Sequence, residues 1–220
     1  MVRIVNRSSS FVWYVGLFLA YILVGHLLTN VSFQSQVVPI WLPAGIALVG
    51  CYIFGWRFLP AVFLASFVFN YSVQYEDDES LLFGSLLFEQ GLGFAVIAFG
   101  ASLQALVGST LLRCWLGDPL RQPSSIKILY FIFVVGILVN LISASIGTYS
   151  LSVFNPFYGI DDYYINVIFW WLGDSLGVLL ATPFLLSILK SRTVIVSQSK
   201  DRSIIIWSIS ALFLIIIILT

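Results

Sequence analysis

The sequence predicts an all-α, polytopic transmembrane helix bundle of about seven spans with a cytoplasmic N-terminus, and three observations lead there. The first is composition: 60% of the 220 residues are hydrophobic and only 9% are charged, about a third of the charged share of a soluble domain. With a mean hydropathy of +1.04, no water-facing surface can be built, so lipid is the main solvent. The second is run length. Apolar residues gather in stretches near the ~20 residues that one helical crossing needs, and these stretches lack the alternation of barrel strands. The third is the one-sided placement of the cations.

The runs follow in order. Residues 11–30 come after Arg3 and Arg7; the stretch is too long for a signal-peptide core and no small-x-small cleavage site follows, so it is expected to remain as a helix. Residues 37–54 and 58–73 are separated by Gly55, Trp56 and Arg57. Residues 81–112 exceed one crossing, since a helix of that length would measure about 48 Å against a core of about 30 Å. Glu89, Gln90, Gly91 and Gly93 are expected to mark a break there, with 81–88 along the outer face and the span starting near Leu92. Residues 128–150, 164–189 and 203–220 complete the set. The last run begins after Lys200, Asp201 and Arg202 and is still apolar at Thr220, as in a piece of a longer protein. The chain thus divides into a membrane unit, residues 1–202, and a final helix, 203–220, expected to lead to further domains.

Orientation follows from the short loops, because those that stay in the cytoplasm collect Lys and Arg. With the N-terminus inside and one crossing per run, Arg3, Arg7, Arg57, Arg113, Arg121, Lys127, Lys190, Arg192, Lys200 and Arg202 all fall inside. Glu76, Asp77, Asp78, Glu79, Asp161 and Asp162 then fall outside. Splitting 81–112 into two crossings would move Arg121 and Lys127 outside, so a single crossing is preferred.

Several function classes drop out. A formal net charge of zero without a basic stripe argues against nucleic-acid binding. Cys51, Cys114 and the single histidine, His26, make no metal-ligand spacing, and no phosphate loop or nucleophile elbow is present. No cofactor, metal or catalytic residue is expected. Chemistry at membrane depth is left to polar side chains, which are costly there and usually face a cavity or a partner.

Asp174, about ten residues into the sixth run, is the clearest of these. It borders Gly173, Gly177 and Ala181, a small-residue stripe at four-residue steps that admits a neighbouring backbone. It reads either as a ligand, proton or ion contact or as a carboxyl that holds two helices in register. Asn140 lies in a similar stripe with Gly136, Ala144 and Thr148, and Gln104 between Gly100 and Gly108; both read first as interhelical hydrogen-bonding glue. The segment Leu172-Gly173-Asp174 is similar to part of the presenilin-type aspartyl protease motif. However, Trp171 replaces the first glycine and no second intramembrane aspartate exists to share a proton.

Two longer patterns carry a more specific resemblance. The stretch from Trp41 through Leu42, Pro43, Ala44 and Gly45 to Leu48, then Gly55-Trp56-Arg57-Phe58-Leu59-Pro60 and Asn70, resembles the opening signature of the bacterial membrane-associated sensor domain of the first type, the MASE family. Trp171-Leu172-Gly173-Asp174-Ser175-Leu176-Gly177-Val178 with Thr182-Pro183 resembles its second signature, and Gly100, Gln104 and Leu111-Leu112-Arg113 between them are similar as well. The resemblance implies a sensory input module of the inner membrane, without catalysis of its own, ahead of a histidine kinase, diguanylate cyclase or cyclic-di-GMP phosphodiesterase. It carries over no ligand. Family outputs are cytoplasmic, whereas a seventh span would place the C-terminus outside, so either a further helix follows or the count differs by one.

As a device, such a module needs helices that shift. Pro43 and Pro183 each remove an amide donor where a helix could bend, and the stripe Pro43, Ala47, Cys51 and Gly55 is expected to pack on the stripe from Gly173 to Ala181. Trp41, Asn70, Glu89, Trp170, Trp171 and Asp174, with His26 and Asn140, concentrate in the outer half. They suit a cavity for a small neutral or cationic amphipathic molecule arriving from the outer side; the alternative for Trp41 and Trp170 is an interfacial belt facing lipid. Expected partners are membrane lipid, such a ligand, another membrane protein, or a second copy in a homodimer. The rival classes are a small-solute transporter or channel subunit, which would be expected to show inverted repeats, and an assembly subunit.

Overall fold

The computed structural model describes residues 7–31, 39–77, 84–116, 124–154 and 163–194. Every regular element among them is helical: α1 (Arg7–Val31), α2 (Leu42–Phe54), a 3₁₀ turn (Gly55–Phe58), α3 (Leu59–Asp77), α4 (Gly84–Leu116), α5 (Ser125–Tyr130), a π-helical segment (Phe131–Leu138), α6 (Leu141–Phe154) and α7 (Tyr163–Val194). Among the described residues, five stretches are long and apolar enough to cross a membrane: Val12–Thr29, Leu42–Val73, Gln90–Trp115, Ser125–Phe154 and Tyr163–Ile188. The run 203–220 lies outside the described residues.

The second of those stretches folds back on itself. Trp41 and Phe69 have ring centroids 4.9 Å apart, whereas a straight helix would separate residues that far apart in sequence by about 42 Å. Gly55 makes the reversal, at φ +78, while its N–H still bonds the Cys51 carbonyl; a residue with a Cβ is disfavoured in that backbone region. Gly50 leaves room for the returning chain, because a Cβ there would come within 2.2 Å of the Phe58 ring.

Side-chain neighbours fix the direction of every limb. Tyr14 meets Phe54 and Phe58 at one end of α1, and His26 meets Phe69 at the other. Gly93 faces Phe154 and Ser150, Gly100 faces Ile146, and Gly108 faces Val139, so α4 and α6 run antiparallel. Gly147 faces Trp170 and Gly136 faces Leu179, which sets α7 antiparallel to α6. Gly45 faces Ala181 while Gly177 faces Trp41, so α2 and α7 run parallel. Helices α2, α4 and α7 thus point one way, and α1, α3 and α5–α6 the other.

Helix α2 is the axis of the bundle, buried at every residue from Pro43 to Tyr52. One core cluster joins its Ala47 and Cys51 to Tyr21, Phe58, Val62, Ala65, Phe69 and Ala105. A second joins its Ala44, Leu48 and Tyr52 to Leu112, Val135 and Val178. Apolar side chains such as Val12, Leu23 and Leu27 point outward from α1, as suits a surface solvated by lipid.

Three sequence expectations are corrected. Helix α4 passes through Glu89, Gln90, Gly91 and Gly93 without a break; Gly93 is small because Phe154 and Ser150 press on it. Helix α2 starts at Leu42, so Pro43 lies in its first turn, where a missing N–H forfeits no helical bond and starts the helix instead of bending it. The stripe Pro43, Ala47, Cys51 and Gly55 is not the face that meets α7: Ala47 and Cys51 face α1 and α3, and Gly45 with Trp41 meets Gly177 and Ala181. Residues 125–154 do not form one uniform helix, being interrupted by the π segment and a turn at Val139 and Asn140.

Candidate functional site

Polar side chains from three limbs meet inside this apolar bundle. Asn140 is fully buried and Asp174 is 2% exposed. Gln104 on α4 donates its amide N–H to Asn140 Oδ1. Asn140 Nδ2 in turn donates to the Gly136 carbonyl at 2.6 Å and lies 3.4 Å from Ser175 Oγ. On the next turn of α6, Ser143 donates its hydroxyl to Asp174 Oδ2. The other carboxylate oxygen, Asp174 Oδ1, is buried without a hydrogen-bond partner.

The π segment explains why Asn140 can take part. Its wider winding sends the Val139 N–H to the Val134 carbonyl, five residues back, at 3.0 Å. Carbonyls near the segment's end are then free for side chains: Asn140 takes Gly136 and Trp171 Nε1 donates to Ile137 at 2.7 Å. Such π insertions into an α-helical run are frequent at functional sites.

Helix α2 is docked directly against this network. The Trp41 N–H donates to the Gly173 carbonyl at 2.8 Å, one residue before Asp174. Gly177 has no room for a side chain, since a Cβ would lie 1.9 Å from the Trp41 carbonyl oxygen. The half-buried Trp41 ring meets Tyr21 edge-on at 6.3 Å and Phe69 at 4.9 Å. Tyr21 is buried beside Trp41 and lies within electrostatic range of Asp174. Trp41 therefore links α1 and α3 to the carboxyl-bearing turn of α7.

The other sequence candidates are distributed around this centre. Asn70 Nδ2 bonds the Ser66 carbonyl of its own helix at 2.7 Å. His26 pairs with the Ser72 hydroxyl at 3.0 Å. Trp170 packs on Gly147, while Gly100 receives Ile146 and Gly108 receives Leu48. The Glu89 side chain lies outside the described residues. A small recess lies apart from Asp174, between α4 and α6, lined by Gln90, Phe94, Ile97 and Leu151 among others. Among the described residues no three His, Cys, Asp or Glu side chains gather as a metal site, and Cys51 and Cys114 are free thiols.

Sequence reasoning gave no role to Ser143 and Tyr21, and read Ser175 and Arg113 only within the family resemblance and, for Arg113, as an inside cation. Ser143 lies one turn beyond Asn140 and Ser175 adjoins Asp174, so helical spacing from the two polar residues was the available signal. Arg113 carries a second junction: its Nε donates to the Tyr52 carbonyl and its Nη2 to the Cys51 carbonyl, both at 2.8 Å.

Helices long and apolar enough to cross a membrane, packed around a buried network of polar side chains, define the class as a helical membrane protein. Within that class, the family model of the membrane-associated sensor domain MASE1 matches residues 12–220, and the chain belongs to this family. Neither the curated proteins nor the solved structures compared with the chain give a match.

Proposed function

We propose that the chain is the sensory input module of a bacterial inner-membrane signalling protein, feeding a histidine kinase or a cyclic-di-GMP enzyme through a change in helix packing. The observation that carries this reading is the docking of Trp41 on Gly173 beside the buried Asp174, which couples α1, α2 and α3 to the long helix α7 through one turn. A bias applied anywhere on that junction shifts α7, and with it whatever follows the module. Seven spans with the N-terminus inside remain the topology that the cation distribution supports. Trp41, Trp171, Pro43, Glu89, Asn70 and Asn140 stand beside Asp174 as the residues through which a signal from the outer side would act.

The test uses the full-length signalling protein with its own output assayed. Asp174→Leu strands the Ser143 hydroxyl and is expected to lock or abolish the response, whereas Asp174→Asn keeps the hydrogen-bonding shape and the resting output. A normal response in Asp174→Leu at normal membrane levels would remove Asp174 from the mechanism. Solute flux through purified protein in liposomes is the result that would favour a transporter or channel subunit instead.

A further inference from the structure

We infer that the Asp174 carboxyl is a proton-binding site, and that the docked arrangement of α2 on α7 is the packing of its protonated form. This deepens the sensory reading, and rests on it for where the signal goes. The geometry is that of a carboxyl without the means to be a stable anion. It is 2% exposed, it accepts one hydroxyl donor from Ser143, and Oδ1 has no partner. A buried carboxylate normally needs several donors or a cation, and an unpaired one is neutralised instead.

No cationic side chain answers it among the described residues. Arg113 is held at the Cys51 and Tyr52 carbonyls, about 15 Å along α2 from Trp41 at the helical rise, and Arg57 follows the Gly55 turn at that same end. Asp174 itself contacts Ser143 of α6, its chain neighbours Gly173 and Ser175 meet Trp41 at the start of α2 and Asn140 just before α6, Gln104 of α4 reaches the group through Asn140, and Tyr21 of α1 lies within electrostatic range. Of these Tyr21 alone titrates, and as an acid it offers no positive charge in either form. The backbone at the start of α2 gives no further help, since the Trp41 N–H already donates to the Gly173 carbonyl.

A proton is the ligand that a closed, tightly packed turn can take. Loss of that proton to water leaves a carboxylate with one donor, and the packing that relieves it is one in which the start of α2 lifts from α7 and admits water. The linkage has a definite sign: low pH on the accessible side holds the docked form, and rising pH releases it.

Infrared spectroscopy of the whole chain in liposomes tests this without any output domain, so its failure is distinct from failure of the sensory reading. A protonated-carboxyl C=O band is expected in wild type, deleted in Asp174→Asn, and lost reversibly as the pH is raised from about 5 to about 10. Ser143→Ala removes the single donor and should shift the frequency of that band, which keeps the test decisive if Asp174→Asn does not fold. Absence of the band across the range would show an ionised carboxylate and overturn the proposal. So would a band that survives the whole range, or one abolished by adding Na⁺ at fixed pH, which would assign the site to a metal cation.

Discussion

Gly177 has a neighbour that cannot yield. Its missing Cβ would lie 1.9 Å from the Trp41 carbonyl oxygen, and that oxygen belongs to backbone anchored by the Trp41–Gly173 and Ala44–Trp41 hydrogen bonds at 2.8 and 3.1 Å. Gly177→Ala must therefore push α2 off α7, an overpacking cost of roughly 1–3 kcal/mol. Gly91 is the matched control, being helical with nothing within 4 Å of its would-be Cβ. Thermal unfolding in detergent should show Gly177→Ala clearly destabilised and Gly91→Ala near wild type. Equal stability of the two would mean that α2 does not dock on Gly177 as described. The stripe of Gly173, Gly177 and Ala181 was legible in the sequence as a place for close approach, because small residues at four-residue steps have that one geometric meaning. That α2 fills it was expected, but which of its residues do so was not legible.

At the scale of elements the reason is the rotation of α2. A helix's facing is read from the contrast between its apolar and polar sides, and α2 is buried at every position from Pro43 to Tyr52, so no contrast exists. The expected stripe of Pro43, Ala47 and Cys51 was a plausible row of small residues pointing the wrong way; Gly45, two positions from Pro43, is displaced by about 200° around the helix. The π segment was equally unreadable, since Phe131 to Leu138 is uniformly apolar apart from Gly136. What the sequence did not show at the far end of α2 is a clamp. Arg113 donates to the Cys51 and Tyr52 carbonyls, where a cation opposes the negative end of the helix dipole. Charge-assisted bonds of this kind contribute roughly 1.5 kcal/mol at the lower, solvent-exposed end of their range, about tenfold in local opening. Cys51, 0% exposed directly beneath, is a built-in probe. In a Cys114→Ser background, Arg113→Met should raise maleimide labelling of Cys51 about tenfold, whereas unchanged labelling would show that the clamp does not hold the helix end.

At the scale of the whole molecule, alternation of limb directions collects charge at one end. The α1 start at Arg7, the turn carrying Arg57, the α4 end carrying Arg113 and the α5 start carrying Lys127 lie together there, and Trp115 stacks on Tyr130 at 3.9 Å beside them. Aromatic rings suit either membrane interface, whereas the gathering of Lys and Arg supports the proposed cytoplasmic assignment of this end. The opposite end receives Asp77 at the close of α3, the end of α6 at Phe154 and the start of α7 at Tyr163. Single cysteines at positions 77 and 161 should accordingly react with an impermeant maleimide added outside spheroplasts. Cysteines at positions 121 and 200 should react only after permeabilisation, because α4 and α7, the helices that precede them in sequence, both end at the cationic end. Helix α4 ends and α5 starts at the same end of the bundle, so labelling at position 121 from outside would overturn the proposed inward N-terminus and, with it, the direction from which a proton would reach Asp174.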